Sequence, residues 1–389
     1  MGENVGEERG DGIFWGADAS RCIARGWSGS VASAAYWRGF LEETPNVFAP
    51  NLDTRAGVMV VEGSTWPITV GEGASGNSYP CSLRTQYVRY PLAELGLVPG
   101  VWMRAAARAG ISGLDVLLAV ARVDRVVQWS SLLLSTNLHP ASLRAVVGGA
   151  TRLLVERFPT HAVLVKNVHG REDAALPAAF SDAGYELITS RQIYFFDGRA
   201  GGFRARSTVK RDAKEFGQLR DYAVVEHGEI TREDVPRVAA LYRQLYVEKH
   251  SRLNPRYTEL FVERALREGW LEFRGLRHVS GRLDGVFGCF THGETSSTPF
   301  IGYDTTLPAE LGLYRHLVTL LLKQVSVRGQ LLNYSSGAGD FKRRRGGEPV
   351  IEFNAVYTRH LTPARRAAFV GLREVANRVA RPFLEERQV

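Results

Sequence analysis

Asn333-Tyr334-Ser335-Ser336-Gly337-Ala338-Gly339-Asp340-Phe341-Lys342-Arg343-Arg344-Arg345-Gly346-Gly347 is the densest stretch of this sequence. It continues an apolar strand pattern, Leu331 to Ser335, and its small residues predict a sharp turn that opens a short helix. Glycines let backbone amides approach an anion or an oxyanion closely, and a helix N-terminus adds partial positive charge. Lys342 and the three arginines add full charges. The plainer reading is a loop with a solvated basic face, but serine, glycine and cations together exceed what a turn requires.

The elements around this stretch set the fold class. Upstream, Glu310 to Arg328 reads as a helix with Leu313, Leu317, Leu320, Leu321 and Val325 on one side. Before it run three strand patterns, Leu271 to Arg277, Leu283 to Thr291 and Ser296 to Tyr303. A helix over Thr231 to Lys249 precedes these, with Thr231 and Asp234 spaced much like a capping box. Downstream come a strand, Val350 to Thr358, and a helix from Pro363 to about Arg381. An antiparallel meander, a crossover helix and a further strand make an α+β arrangement. The first half reads similarly. Val58 to Glu62, Trp66 to Val70, Arg125 to Trp129, Ala162 to Val168 and Tyr185 to Phe196 are strand patterns. Ala141 to Phe158 and Glu172 to Ala183 are helical, the second stopped by Gly184. The longest apolar run, Val116 to Ala121, suits a core element. A break at Asp197-Gly198-Arg199-Ala200-Gly201-Gly202 divides the chain near its middle.

Length and composition bound the function. The 389 residues carry 49 Lys+Arg against 41 Asp+Glu, a net +8. From Arg199 to Arg220 seven basic residues (Arg199, Arg204, Arg206, Lys210, Arg211, Lys214, Arg220) meet two acids, a net +5. From Asp340 to Arg345 four meet one, a net +3, so these two stretches equal the whole excess. A localised positive field attracts phosphates, nucleotides or RNA. Only six lysines occur. A position that keeps Lys where Arg is so favoured suits a compact point charge, which marks Lys249 and Lys342. No apolar run reaches the ~20 residues of a membrane span, and no signal-peptide pattern opens the chain, so a cytoplasmic location is expected. Three scattered cysteines suggest neither a disulfide framework nor a metal site. No HExxH, GxSxG or Walker A pattern is present, so no metal is expected.

A second dense stretch, Leu245 to Thr258, joins two helices and contains Lys249, His250 and Asn254. Its cations suit a helix C-terminus. Its polar and aromatic mixture also suits a substrate rim. Gly73 to Tyr79 and Leu134 to Leu138 are short loops that fit either a turn or the lining of a cleft between the halves.

The crossover helix, the small-residue strand end and the aromatic-Lys step resemble the FemAB-like branch of the GNAT superfamily, mainly over Asp234 to Tyr357. The resemblance implies two tandem GNAT-like domains, each a mostly antiparallel mixed sheet flanked by helices. Residues 12–198 form the degenerate copy and 199–389 the catalytic one. It implies an acyltransferase in which Lys342 stabilises the oxyanion and the Phe341 carbonyl receives the amine proton. Arg343, Arg344 and Arg345 then hold a phosphate. Asn333, Ser335, Tyr303, Asp304, Tyr314, Arg315, Lys249 and Asn254 line the donor and acceptor sites. In CoA-using relatives the loop at Gly302 to Arg315 holds pyrophosphate with a glycine-rich signature. Here only Gly312 remains, followed by Leu313 and Tyr314. The expected donor is therefore aminoacyl-tRNA, a co-substrate with no further cofactor, and the acceptor is the amine or hydroxylamine of a small molecule. Acyl-CoA-dependent N-acetyl transfer to a small molecule or cell-surface sugar, and a non-catalytic RNA- or nucleotide-binding module, are the alternatives.

Overall fold

The computed structural model describes residues 10–97, 100–200, 203 and 206–387. Gly201, Gly202 and Arg204 of the mid-chain break and basic stretch lie outside them. The strands are β1 Gly12–Phe14, β2 Arg55–Val61, β3 Ser64–Glu72, β4 Arg125–Trp129, β5 Ala162–Val168, β6 Glu186–Asp197, β7 Tyr222–Val225, β8 Glu272–His278, β9 Leu283–His292, β10 Thr295–Tyr303, β11 Leu331–Asn333 and β12 Glu348–Tyr357. They form one sheet in the order β1-β2-β3-β4-β5-β12-β6-β11-β10-β9-β8-β7.

Each half builds the same sequence of pairings. β1 to β4 are antiparallel neighbours, and so are β7 to β10. β4 then pairs in parallel with β5, Val126 opposite Ala162, and β10 in parallel with β11, Thr295 opposite Leu331. A parallel pair needs a crossover, which the helices Leu143–Arg157 and Leu313–Val327 supply. Their apolar spacing is realised: Leu317, Leu320, Leu321 and Val325 pack with Tyr194, Phe196 and Leu332. Val146, Val147, Ala150 and Leu154 pack against Met59 and Trp66. The α+β class expected from the sequence is what forms.

The last strands of the two halves change places. β12, from the end of the chain, lies between β5 and β6 and is antiparallel to both. β6 reaches across to β11, with Leu332 opposite Phe196. The ladder thus crosses the 198/199 division in both directions. The 12 residues of β6 serve both neighbours, Glu186 to Phe195 pairing with β12 and Phe195 to Asp197 with β11. Gly198 ends it where a Cβ would stand 2.6 Å from the carbonyls of Val325 and Gln330, an approach open only to glycine.

Three elements differ from the sequence reading. The Glu172–Ala183 pattern is helical only from Leu176 to Asp182, because Pro177 fits the first turn of a helix and not its interior. Thr231 to Lys249 is a capped turn, an α-helix at Val235–Tyr242, and then wider π turns over Arg243–His250. The apolar run Val116 to Ala121 closes a 20-residue helix, Val101–Val120, in which only Leu118 is fully buried. A helix turns ~100° per residue, so six successive apolar residues face every side and cannot all reach the core.

The exchange makes the halves depend on each other for their central strands. Urea unfolding followed by far-UV circular dichroism and by tryptophan fluorescence is expected to give one coincident transition. Two separated transitions would contradict this coupling.

Candidate active site

The exchange places two charged residues opposite each other in the middle of the sheet. Arg191 on β6 and Glu352 on β12 are register partners. The Arg191 Nε lies 2.9 Å from Glu352 Oε1, and the carboxylate is 1% exposed. Glu352 also accepts from Asn167 Nδ2 at 2.9 Å and Ser190 Oγ at 3.2 Å. Burial works to raise its pKa, but Arg191 and these donors outweigh it and hold the carboxyl below its ordinary value.

Arg191 is also the hub between the halves. It donates to the Ser135 carbonyl of the first half and to Ser336 Oγ of the second. Its charge also acts on the buried Tyr79 phenol, whose pKa burial raises. The two short loops with a possible cleft role, at Tyr79 and Ser135, thus converge on one guanidinium.

Lys342 stands next to this hub. The turn before it holds Ser335, Gly337 and Ala338 at positive φ (60°, 78° and 51°). The left-handed path turns successive carbonyls inward. Lys342 Nζ donates to the carbonyls of Tyr334 (2.7 Å), Ser335 (3.2 Å) and Ser336 (2.7 Å). It is 6% exposed and lies 5.8 and 5.7 Å from the rings of Tyr194 and Tyr334. Burial, reinforced by the charge of Arg191, pulls its pKa down to about 7.

A chain of aromatic contacts leads from Lys342 to the surface. Phe341 meets Tyr314 at 5.2 Å between ring centres, and Tyr314 meets Tyr303 at 6.2 Å. The Tyr303 hydroxyl accepts from exposed Lys249 at 2.9 Å. Burial pushes the Tyr314 phenol up to about 12. From the other side, Tyr90 packs edge-on to Tyr79 and donates to Asn254 Oδ1 at 3.3 Å. Asn254 in turn donates to the Tyr246 carbonyl at 2.7 Å. Tyr90 and Tyr246 follow or lie within π turns, Thr85–Arg89 and Arg243–His250.

The sequence-predicted residues therefore divide. Lys342, Phe341, Tyr314, Tyr303 and Lys249 form one connected row, and Asn254 sits on the opposing tyrosine pair. Ser335 belongs to the carbonyl turn, and buried Asn333 accepts from its amide at 2.9 Å. Arg343 pairs with Asp340 (2.7 Å) and Tyr194 (3.3 Å), and Arg344 is exposed. Arg345 is different. It is buried, stacks on Phe341 at 3.4 Å, donates to the Phe341 carbonyl, and pairs with Asp212 at 2.6 Å. Its charge faces the protein. Arg315 pairs with Glu215 at 2.8 Å. Asp304 is tied to Arg237 at 2.7 Å and caps its own turn at Thr306. These last three brace the site rather than line it.

Arg191, Glu352 and Tyr90 do not stand out in the sequence, whereas Tyr79 and Tyr246 lie in the loop and the helix junction that suit a cleft lining and a substrate rim. One signal was present: Arg191 and Glu352 each interrupt an apolar strand pattern, and buried charges occur in pairs. Which charge meets which depends on the exchange.

Neither family models nor curated proteins match this sequence. Solved structures do. A domain (DUF2156) of a putative lysylphosphatidylglycerol synthetase from Agrobacterium fabrum superposes with a TM-score of 0.53 at 11% identity, over 92% of this chain and 96% of that one. This chain shares the fold of that domain. FemX matches at 8% identity and a TM-score of 0.49, over 87% of this chain and 94% of that one. L-PGS from Bacillus licheniformis matches at 14% and 0.44, over 62% and 80%. Among the described residues no helix is long and apolar enough to cross a membrane, and no cluster of side chains suits a metal ion.

Replacing Arg191 by Met leaves the Glu352 carboxylate buried without its partner. A loss of about 3–5 kcal/mol is expected at pH 7, measured by urea unfolding. A loss under about 1 kcal/mol would contradict the pairing. Lys342 titrates near 7 in the fold against an ordinary value of 10.5. The unfolded chain then holds the extra proton between those values, so this residue's contribution to stability rises with pH across that window. Lys342→Met is expected to flatten the rise between pH 7 and 10, leaving only other groups such as Lys166, held near 8. An unchanged slope counts against the assignment.

Proposed function

We propose that this protein is an acyltransferase that moves an aminoacyl group from aminoacyl-tRNA to the amine or hydroxylamine of a small-molecule acceptor. The carrying observation is the Phe341–Lys342 step, seated beside Arg191 at the inner end of the tyrosine row. Acyl transfer to an amine needs positioning and a cation for the oxyanion, and no separate nucleophile. All three donors of Lys342 are held by neutral carbonyls. An oxyanion is a stronger acceptor than a carbonyl, so Lys342 exchanges one carbonyl for it only as charge develops. That is differential stabilisation of the transition state. The Phe341 carbonyl spends one lone pair on Arg345 and keeps the other for the amine proton, which passes to the leaving ester oxygen.

Two features support a tRNA donor. Tyr314, in the first turn of the Leu313–Val327 helix, packs on Tyr303 and Phe341 where a CoA pyrophosphate would need small residues. Beside it runs the Ser207–Gly217 helix, whose Lys210, Arg211 and Lys214 are exposed together with Arg206 before it. The Arg345–Asp212 and Arg315–Glu215 pairs fasten this basic helix to the site. Exposed Arg344 extends it. The name of the A. fabrum neighbour also refers to a product carrying an aminoacyl group.

With aminoacyl-tRNA formed in situ, product formation is expected to stop on RNase treatment. RNase-resistant product from acetyl-CoA alone would favour the acetyltransferase alternative. Lys342→Ala is expected to lower kcat by about 100-fold or more with donor KM changed little. A binding module would instead lose only affinity. Lys210→Ala with Lys214→Ala is expected to weaken tRNA binding and to reduce its salt slope by about 1–2. An unaltered slope removes this helix from the interface.

A further inference from the structure

The Val101–Val120 helix is turned inside out relative to an ordinary surface helix. Its inner side carries Leu118, half-buried Ile111 and Leu114, and an Asp115–Arg84 ion pair at 2.7 Å. Its outer side carries Trp102, Ala106, Ala109, Gly113, Val116 and Val120, all exposed. Trp102 is 84% exposed, Val116 65% and Val120 80%. No charged residue falls on that arc, since Arg104, Arg108 and Asp115 lie on other sides of the helix. Among the described residues nothing covers it. Monomeric proteins rarely leave so continuous an apolar face in water.

The six outer positions recur at intervals of four, three, four, three and four. This is the seam of a helix pair, in which apolar residues at such spacing fit between those of a facing helix. The seam reads the same in both directions about residue 111. Its bulk is also distributed to suit self-pairing: large residues at both ends, and Ala106, Ala109 and Gly113 between them. Small central residues let two backbones approach closely, whereas on a lipid surface they would contribute little burial. The helix is about 30 Å long and, with side chains, about 10 Å wide. It therefore offers about 300 Å² per copy. Beside it Gly371 lies near Leu117, and Val375 and Val379, one and two turns on, are 43% and 67% exposed. With them the total for two copies comes to about 1,000 Å², the lower end for a specific interface.

We propose that this helix is the seam of a two-fold homodimer, paired antiparallel with the same helix of a second copy. In that register Trp102 meets the partner subunit's Val120, Ala106 the partner subunit's Val116, and Ala109 the partner subunit's Gly113. The modest area makes the dimer concentration-dependent, with dissociation in the micromolar range.

Sedimentation equilibrium over roughly 1–100 µM protein tests this. Wild type is expected to shift from monomer to dimer. Trp102→Glu with Val116→Glu is expected to weaken association by about 30-fold or more, with an unchanged circular dichroism spectrum and melting temperature, since both side chains are exposed. The register is tested by oxidation. Cys22, Cys81 and Cys289 are buried, so an introduced thiol reports alone. Ala109→Cys with Gly113→Cys is expected to give a disulfide-linked dimer. Trp102→Cys is not, because the two copies of that residue stand roughly 27 Å apart along the pair. A wild type monomeric throughout the range overturns the proposal, as does a double-Glu variant that associates like wild type. Efficient self-crosslinking of Trp102→Cys overturns the antiparallel register. A monomer that floats with phosphatidylglycerol vesicles would assign the face to a membrane surface instead.

Discussion

The Arg191–Glu352 pair is the constraint around which the molecule is arranged. Two opposite charges sit in the middle of a 12-stranded sheet, on strands from different halves of the chain. Neither charge is tolerable there alone. Their pairing requires β12 to lie against β6 at one register, because a one-residue slip would leave the two side chains on opposite faces of the sheet. The same guanidinium donates to Ser135 and to Ser336. A single side chain thus ties the strand exchange, the contact between halves and the turn that holds Lys342.

The chemistry proposed for Lys342 grows from that arrangement. Lys342 is a cation already stripped of water and held by three neutral acceptors, with a second cation close by. Such a group is poised toward any nearby atom that acquires negative charge. Ser335 and Ala338, left-handed without being glycine, store strain of about 1–3 kcal/mol each, and the ammonium that gathers the turn's carbonyls helps to hold them there. Site and scaffold are therefore one network. Arg345 and Arg315, though basic, serve the scaffold by clamping the cationic Ser207–Gly217 helix beside it.

Much of this was legible in the residues. The crossover helices and most strands followed from apolar spacing, and the Gly-Ala-Gly-Asp-Phe-Lys turn stood out by composition. Pro177 marked a helix start that spacing alone overran. The Val116–Ala121 run misled because hydrophobicity says that a segment wants cover, and not whether its own chain supplies it. Arg345 misled in the same way: a basic residue in a basic run looks exposed until a buried acid, Asp212, is found 133 positions earlier in the chain.

By itself the sequence determined the local elements and the α+β class, and it marked the turn that carries Lys342. These rest on interactions between near neighbours, which spacing and turn chemistry report directly. Only the tertiary structure decided that the halves exchange their last strands, that Arg191 meets Glu352, and that tyrosines from both halves face one lysine. Apart from Tyr334, those pairings join residues more than a hundred positions apart. Their partners are chosen by which edge of a sheet remains open and which charge remains unpaired, and neither exists until the chain has folded.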